Sequence, residues 1–297
     1  MLRRLSAPVG FVVLCVCAAS AAPSDAPASW LDRVNFYRAT AALPPVTEDP
    51  ALSTAVLEHA RYMVQHDVVT HSQRRGARGA TRLGAAAAAA SNLAGSLSAL
   101  EPENWAVDVW MQAPFHAIGI LDPALTHVGF GIYREPDGQI QTAAGIDVLS
   151  GRRSRRRVAY PIVWPADGAW VPLSTYTDEY PDPLTSCAGY AAPAGLPLIV
   201  QLGDGGTVPR VTGSSIAEEG RPLDHCVFDQ SSYRNPYAAQ QRLGRAILAS
   251  RNAIVLIPRR PLVPGSMYRA IVTVNGRSID WHFGISRSLP PLIKDTR

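Results

Sequence analysis

Trp110-Met111-Gln112-Ala113-Pro114-Phe115-His116, then Ile120-Leu121-Asp122-Pro123, then Val128-Gly129-Phe130-Gly131 is the stretch on which the reading of this chain turns. It carries the chain from a helical pattern into strands. Glu103 through Val107 to Met111 reads as helix, while Gly129 to Tyr133 and Ile140 to Val148 read as strands around the turn Pro136-Asp137-Gly138. Upstream, Trp30, Leu31, Val34 and Tyr37 share one helix face, which Leu43-Pro44-Pro45 ends. Asp49 ahead of Pro50 is an N-cap followed by proline at the first helical position. Leu52, Val56, His59, Ala60 and Met63 then form the inner face of a second helix to about His66. Helices in series with an antiparallel hairpin predict an α+β fold.

Further along, the texture changes. Five arginines lie between Arg152 and Arg157, and a proline-rich stretch runs from Pro161 to Pro183. The boundary is expected here, with residues 151–183 as an Arg/Pro-rich linker, read as a solvated segment rather than a docking site for anionic envelope polymer. Beyond it come short β-like runs. Ile254 to Ile257 reads as a buried strand. Tyr268, Ala270, Val272 and Val274 alternate up to Asn275-Gly276 and continue into Ile279, Trp281 and Phe283, a hairpin whose turn needs positive φ at both central residues. About 100 residues of this kind, 184–287, fit a small immunoglobulin-like β-sandwich. The run Pro261 to Tyr268 resembles the last hairpin of Ig-like modules appended to bacterial surface proteins.

Composition bounds the function. The chain has 297 residues, of which 47% are hydrophobic and 18% charged, so it is globular and long enough for two domains. Lys294 is the sole lysine among 28 basic residues, which reads as coding bias. Arg3 and Arg4, the apolar run Val9 to Val16 and the small residues Ala18 to Ala22 make a secretory signal over residues 1–21, cut after Ala19-Ser20-Ala21. The expected location is therefore extracellular or periplasmic, with no transmembrane segment left after cleavage. The formal charge of +4 moves nearer neutral once Arg3 and Arg4 are lost, and no nucleic-acid partner is expected. Cys187 and Cys226 remain, an even pair expected to form a disulfide worth roughly 4 kcal/mol on the chain-entropy model.

Two islands now join the opening Trp110–Gly131 stretch to make three in series: Val69-Thr70-His71-Ser72 and Ser91-Asn92-Leu93-Ala94. In this order and spacing, residues 28–150 resemble a CAP (SCP-like) domain, the fold of cysteine-rich secretory proteins, antigen 5 and plant pathogenesis-related proteins, in its bacterial branch. The resemblance implies an α-β-α sandwich with a cleft holding two histidines and two glutamates, which in some members bind zinc or a similar ion. By position His71 and His116 match the two histidines. Ser91 stands where the first glutamate is expected, beside a retained Asn92, and Ala113 stands where the second is expected.

Two neutral imidazoles alone are two ligands, whereas tetrahedral zinc takes three or four from protein. Gln112 offers a neutral oxygen and His59, His66 or His127 a third imidazole, though each reads better as structural. No cofactor is expected; a divalent ion such as zinc on His71 and His116 is the exception to be tested. The chain holds no Gly-x-Ser-x-Gly, His-Glu-x-x-His or phosphate-binding loop. Three functions follow. The first is a non-catalytic binding module whose cleft of His71, Ser91, Asn92 and His116 takes a small hydrophobic or lipid ligand or an envelope polymer. The second is a metal-dependent peptidase or cell-envelope hydrolase using His71 and His116. The third is an adhesive surface protein acting through its β-domain.

Overall fold

The computed structural model describes residues 29–153, 159–203 and 205–288. The signal segment 1–21 and Arg155 to Arg157 lie outside the described residues. Helix α1 (Trp30–Ala39) starts at a capping box, in which Ser29 Oγ accepts from the Asp32 amide at 3.1 Å and the Asp32 carboxylate accepts from Ser29. Strand β1 (Thr47–Glu48) leads into α2 (Pro50–Gln65), where Asp49 accepts from the Ala51 amide at 2.9 Å and Pro50 occupies the first turn. Then follow α3 (Arg82–Ala90), β2 (Ser91–Ser96), α4 (Trp105–Gln112), α5 (Pro114–Ile120), β3 (His127–Arg134) and β4 (Thr142–Asp147). The alanine run, low-complexity to the eye, is helix because alanine loses least on entering one, and Thr81 caps it by accepting from the Gly84 amide.

These elements form an α-β-α sandwich around a four-stranded sheet of order β1-β3-β4-β2. The pleat assigns the faces. Phe130 points one way, stacked on Trp30 with ring centroids 4.9 Å apart and edge-on to Trp110 at 6.4 Å. Gly129 and Gly131 point the other way, beneath α2. A Cβ on either would strike the α2 backbone, at Leu52–Ser53 or Val56–Leu57, so the Gly-x-Gly pattern is the condition for the helix to lie on the strand. Trp110 is 1% exposed, and truncating so large a buried ring costs about 3–5 kcal/mol.

The second half begins earlier than the sequence suggests. Strands β5 (Ile162–Trp164), β6 (Trp170–Val171) and β7 (Thr175–Tyr176) all fall inside the stretch expected to be a linker. Each is two or three residues long, too short to show alternation, and β5 and β6 abut Pro161, Pro165 or Pro172. After a 3₁₀ turn at Pro183–Ser186 come β8 (Ala194–Gly195), β9 (Leu198–Gln201), β10 (Val211–Glu218), β11 (Arg221–Pro222) and β12 (His225–Asp229). The chain ends in α6 (Ala238–Ala249), β13 (Ala253–Pro258), β14 (Met267–Val274) and β15 (Arg277–Ile285). Two sheets result, β12-β13-β9-β5 and β11-β10-β14-β15-β6, compatible with the expected Ig-like sandwich. The β14–β15 turn has φ of 51° at Asn275 and 74° at Gly276, as its sequence requires. Helix α6, inserted between β12 and β13, was not expected: it lacks a side-chain N-cap and carries Gly244 in its middle.

The halves share one hydrophobic core that runs from Val34 and Trp110 through Trp164 to Val255 and Phe283. Trp164 Nε1 donates to Thr40 Oγ1 at 3.1 Å, and Gln201 Nε2 donates to the Leu121 carbonyl at 3.0 Å. Asp122, 1% exposed, accepts from both Arg251 and Arg152 at Oδ2, the latter at 2.6 Å. Cys187 and Cys226 are bonded, with Cα atoms 5.6 Å apart, pinning the 3₁₀ turn to β12.

Candidate functional site

A cavity of about 600 Å³ lies at the seam between the halves. His71, Ser91, Asn92 and His116 all line it, so the four residues singled out from sequence meet at one place. His71 sits in the loop after α2, a loop held by His59, whose Nε2 meets the Thr70 carbonyl at 2.7 Å. Ser91 and Asn92 open β2, and His116 lies in the first turn of α5. Asn92 Nδ2 donates to the His116 carbonyl at 3.0 Å, tying strand to helix. Ser91 Oγ is buried and finds no partner. Around this polar group the walls are apolar: Phe115, Ile118, Val148 and Leu149 from the first half, Tyr180 from the connecting segment, and Leu243, Ala246 and Ile247 from α6.

The cavity corrects one expectation. Sequence position left the histidines with no carboxylate, since Ser91 and Ala113 replace both acids. Glu179 supplies one from the stretch taken for a linker. Its Oε1 lies 2.7 Å from His116 Nδ1 and accepts from the His116 amide at 2.8 Å, while Oε2 accepts from the Phe115 amide at 3.1 Å. Ala113, the N-cap of α5, has no side chain to offer, and Glu179 satisfies the exposed amides in its stead. Burial pushes the Glu179 carboxyl upward, and the His116 ring and the two amides pull it back. No sequence pattern links positions 116 and 179, so only the Glu itself, in Asp178-Glu179-Tyr180, was visible.

His71 is held differently. Its Nδ1 meets the Ala88 carbonyl at 2.9 Å. Desolvation lowers its pKa, the Ala88 carbonyl opposes that, and the nearby His116 charge lowers it further. The other histidines are engaged elsewhere. His59 is fully buried between Thr70 and Gln73, with its pKa lowered by burial. His66 meets the Arg78 carbonyl at 2.8 Å, and His127 meets Thr126 Oγ1 at 2.9 Å. Gln112 bonds Asp108 and Thr175.

These donors do not suit zinc. Among the described residues no group of three or more His, Cys, Asp or Glu side chains converges. Glu179 grips the back of His116 instead of facing His71. Two imidazole nitrogens without a third ligand fall short of a tetrahedral site.

Comparison with known proteins gives one family. Residues 31–144 match the model of the Cysteine-rich secretory protein family, CAP. No curated protein matches the chain. Among solved structures, an extracellular protein containing a SCP domain from Bacillus anthracis str. Ames is similar at 17% sequence identity, over 41% of this chain and 39% of that chain, with a TM-score of 0.32. Glu179, Tyr180 and all of α6 lie outside the matched residues.

Proposed function

With a CAP domain at residues 31–144 as the premise, we propose that this protein is a binding module that holds a small, largely apolar ligand between its two halves. One observation carries the reading: a cavity of about 600 Å³, within the range of small-molecule sites, is walled by apolar side chains with a few polar groups gathered at one place. Chemistry on a bond would ask more of it. Ala113 is no base, and Ser91 Oγ has no hydrogen bond to one. The β-rich half, read as an Ig-like domain from its short alternating runs and Asn275-Gly276 hairpin, walls the cavity through α6 in this account. A location outside the cytoplasm is supported by the Cys187–Cys226 bridge. No helix among the described residues is long and apolar enough to cross a membrane.

The test is displacement of a neutral apolar dye such as N-phenyl-1-naphthylamine from the full chain. Dye uptake is expected in the wild type. Ala246→Trp, which fills the cavity from an exposed position, should weaken it at least roughly tenfold with little change in stability. Equal uptake by both proteins, or none by the wild type, would sink the reading.

The Glu179–His116 pair favours one alternative, a hydrolase in which His116 serves as general base. Turnover of a peptide or glycan that is lost in His116→Ala would establish it over the binding module.

A further inference from the structure

Both cavity histidines are gripped from behind at Nδ1, by partners of known sense. A carbonyl oxygen only accepts, so His71 carries its proton on Nδ1, against Ala88. Glu179 already accepts two backbone amides, and the same oxygen that takes the His116 amide faces that residue's Nδ1 at 2.7 Å. Neutral His116 is thereby set as the Nδ1–H tautomer as well. Neither ring nitrogen Nε2 has a partner among the described residues. Both line the cavity through rings whose opposite edge is occupied. Ser91 lines the same space, with its Oγ buried and unpaired.

We propose that Glu179 is a positioning residue that makes the cavity select a hydroxyl-headed apolar ligand over the matching ether or carboxylate. This rests on the binding reading above. A hydroxyl donates one hydrogen bond to an imidazole lone pair. An ether can accept but has nothing to give Nε2. A carboxylate meets two lone pairs and no free cation: among the described residues the arginine on the wall is Arg251, already held by Asp122. The pattern is that of a site left with unpaired groups by the wrong analogue.

The experiment uses the full chain at pH 8. Long-range ¹⁵N–¹H correlation spectra report the tautomer of each ring, and both His71 and His116 are expected to carry Nδ1–H. Dye displacement by 1-decanol, decyl methyl ether and decanoate reports selection, with decanol preferred over the ether by roughly tenfold and over decanoate by more. Glu179→Ala should move the His116 proton to Nε2, leave His71 as it was and shrink the decanol preference. Should that variant not fold, the wild-type spectra and ligand series decide alone. Nε2–H on either wild-type ring, or equal affinity for decanol and its ether, would overturn the proposal while leaving the binding reading intact. Failure of all three ligands to displace a bound dye overturns the proposal, whereas absence of dye uptake overturns both.

Discussion

The two walls of the cavity differ in kind. The wall built from residues 71–149 carries its polar groups, His71, Ser91, Asn92 and His116, on elements adjacent in one small sandwich. The wall built from residues 180–251 is chiefly apolar, with Tyr180, Leu243, Ala246 and Ile247 brought from another sheet system. Glu179 belongs by sequence to the second and acts on the first. The lesson is that the chemistry of the cleft and its enclosure come from separate stretches of chain, and neither stretch describes the site alone.

The largest expected effect tests whether the walls fold together. Asp122→Ala leaves Arg251, 6% exposed in its side chain, buried without its carboxylate. A loss of about 3–5 kcal/mol is expected from stranding one partner of a buried pair. Urea unfolding followed by tryptophan fluorescence and by far-UV dichroism should still show a single shared transition. Two separated transitions would mean that the walls are independent and that the shared core binds them weakly.

A smaller effect is expected within the second wall. Replacing both Cys187 and Cys226 by serine frees the 3₁₀ turn from β12, with a cost of about 2–4 kcal/mol. Dye affinity at a temperature well below the new midpoint should stay within about twofold, because the bridge does not line the cavity. A large loss of affinity in the folded variant would show that the bridge tensions the site.

The smallest effect belongs to the first wall and is read by pH. His59 has its pKa lowered by burial, so as pH falls below the ordinary imidazole value of 6.5 the unfolded chain takes its proton before the folded one does. Its contribution is complete above that pH and is lost on the way down to the lowered value. Unfolding free energy should therefore decline from pH 7.5 to 5.5 more steeply in the wild type than in His59→Gln, whose side chain can still donate to the Thr70 carbonyl. Parallel profiles would show that this ring is not the group being protonated.

Much of the first wall was legible because its signals are local. Asp49-Pro50 fixes the start of α2 within the chain, the Gly129 and Gly131 pair sits in one strand, and the CAP resemblance matched His71, Ser91 and His116 to one cleft by position. The Asn275-Gly276 hairpin was legible for the same reason. Strands β5, β6 and β7 were not, because two or three residues between prolines show no period. Helix α6 was not, because it has no side-chain cap and a glycine, Gly244, interrupts its pattern.

From the sequence alone came the sandwich, the bridge and the loss of both expected cleft acids, since each depends on which residues stand at which positions. Tertiary structure decided that an acid returns from position 179, that Ala113 is capped from another half of the molecule, and that α6 encloses the cavity. The reason is physical. Hydrogen bonds and burial act through space, and a buried carboxylate finds its donors wherever folding puts them, 63 residues away in this chain.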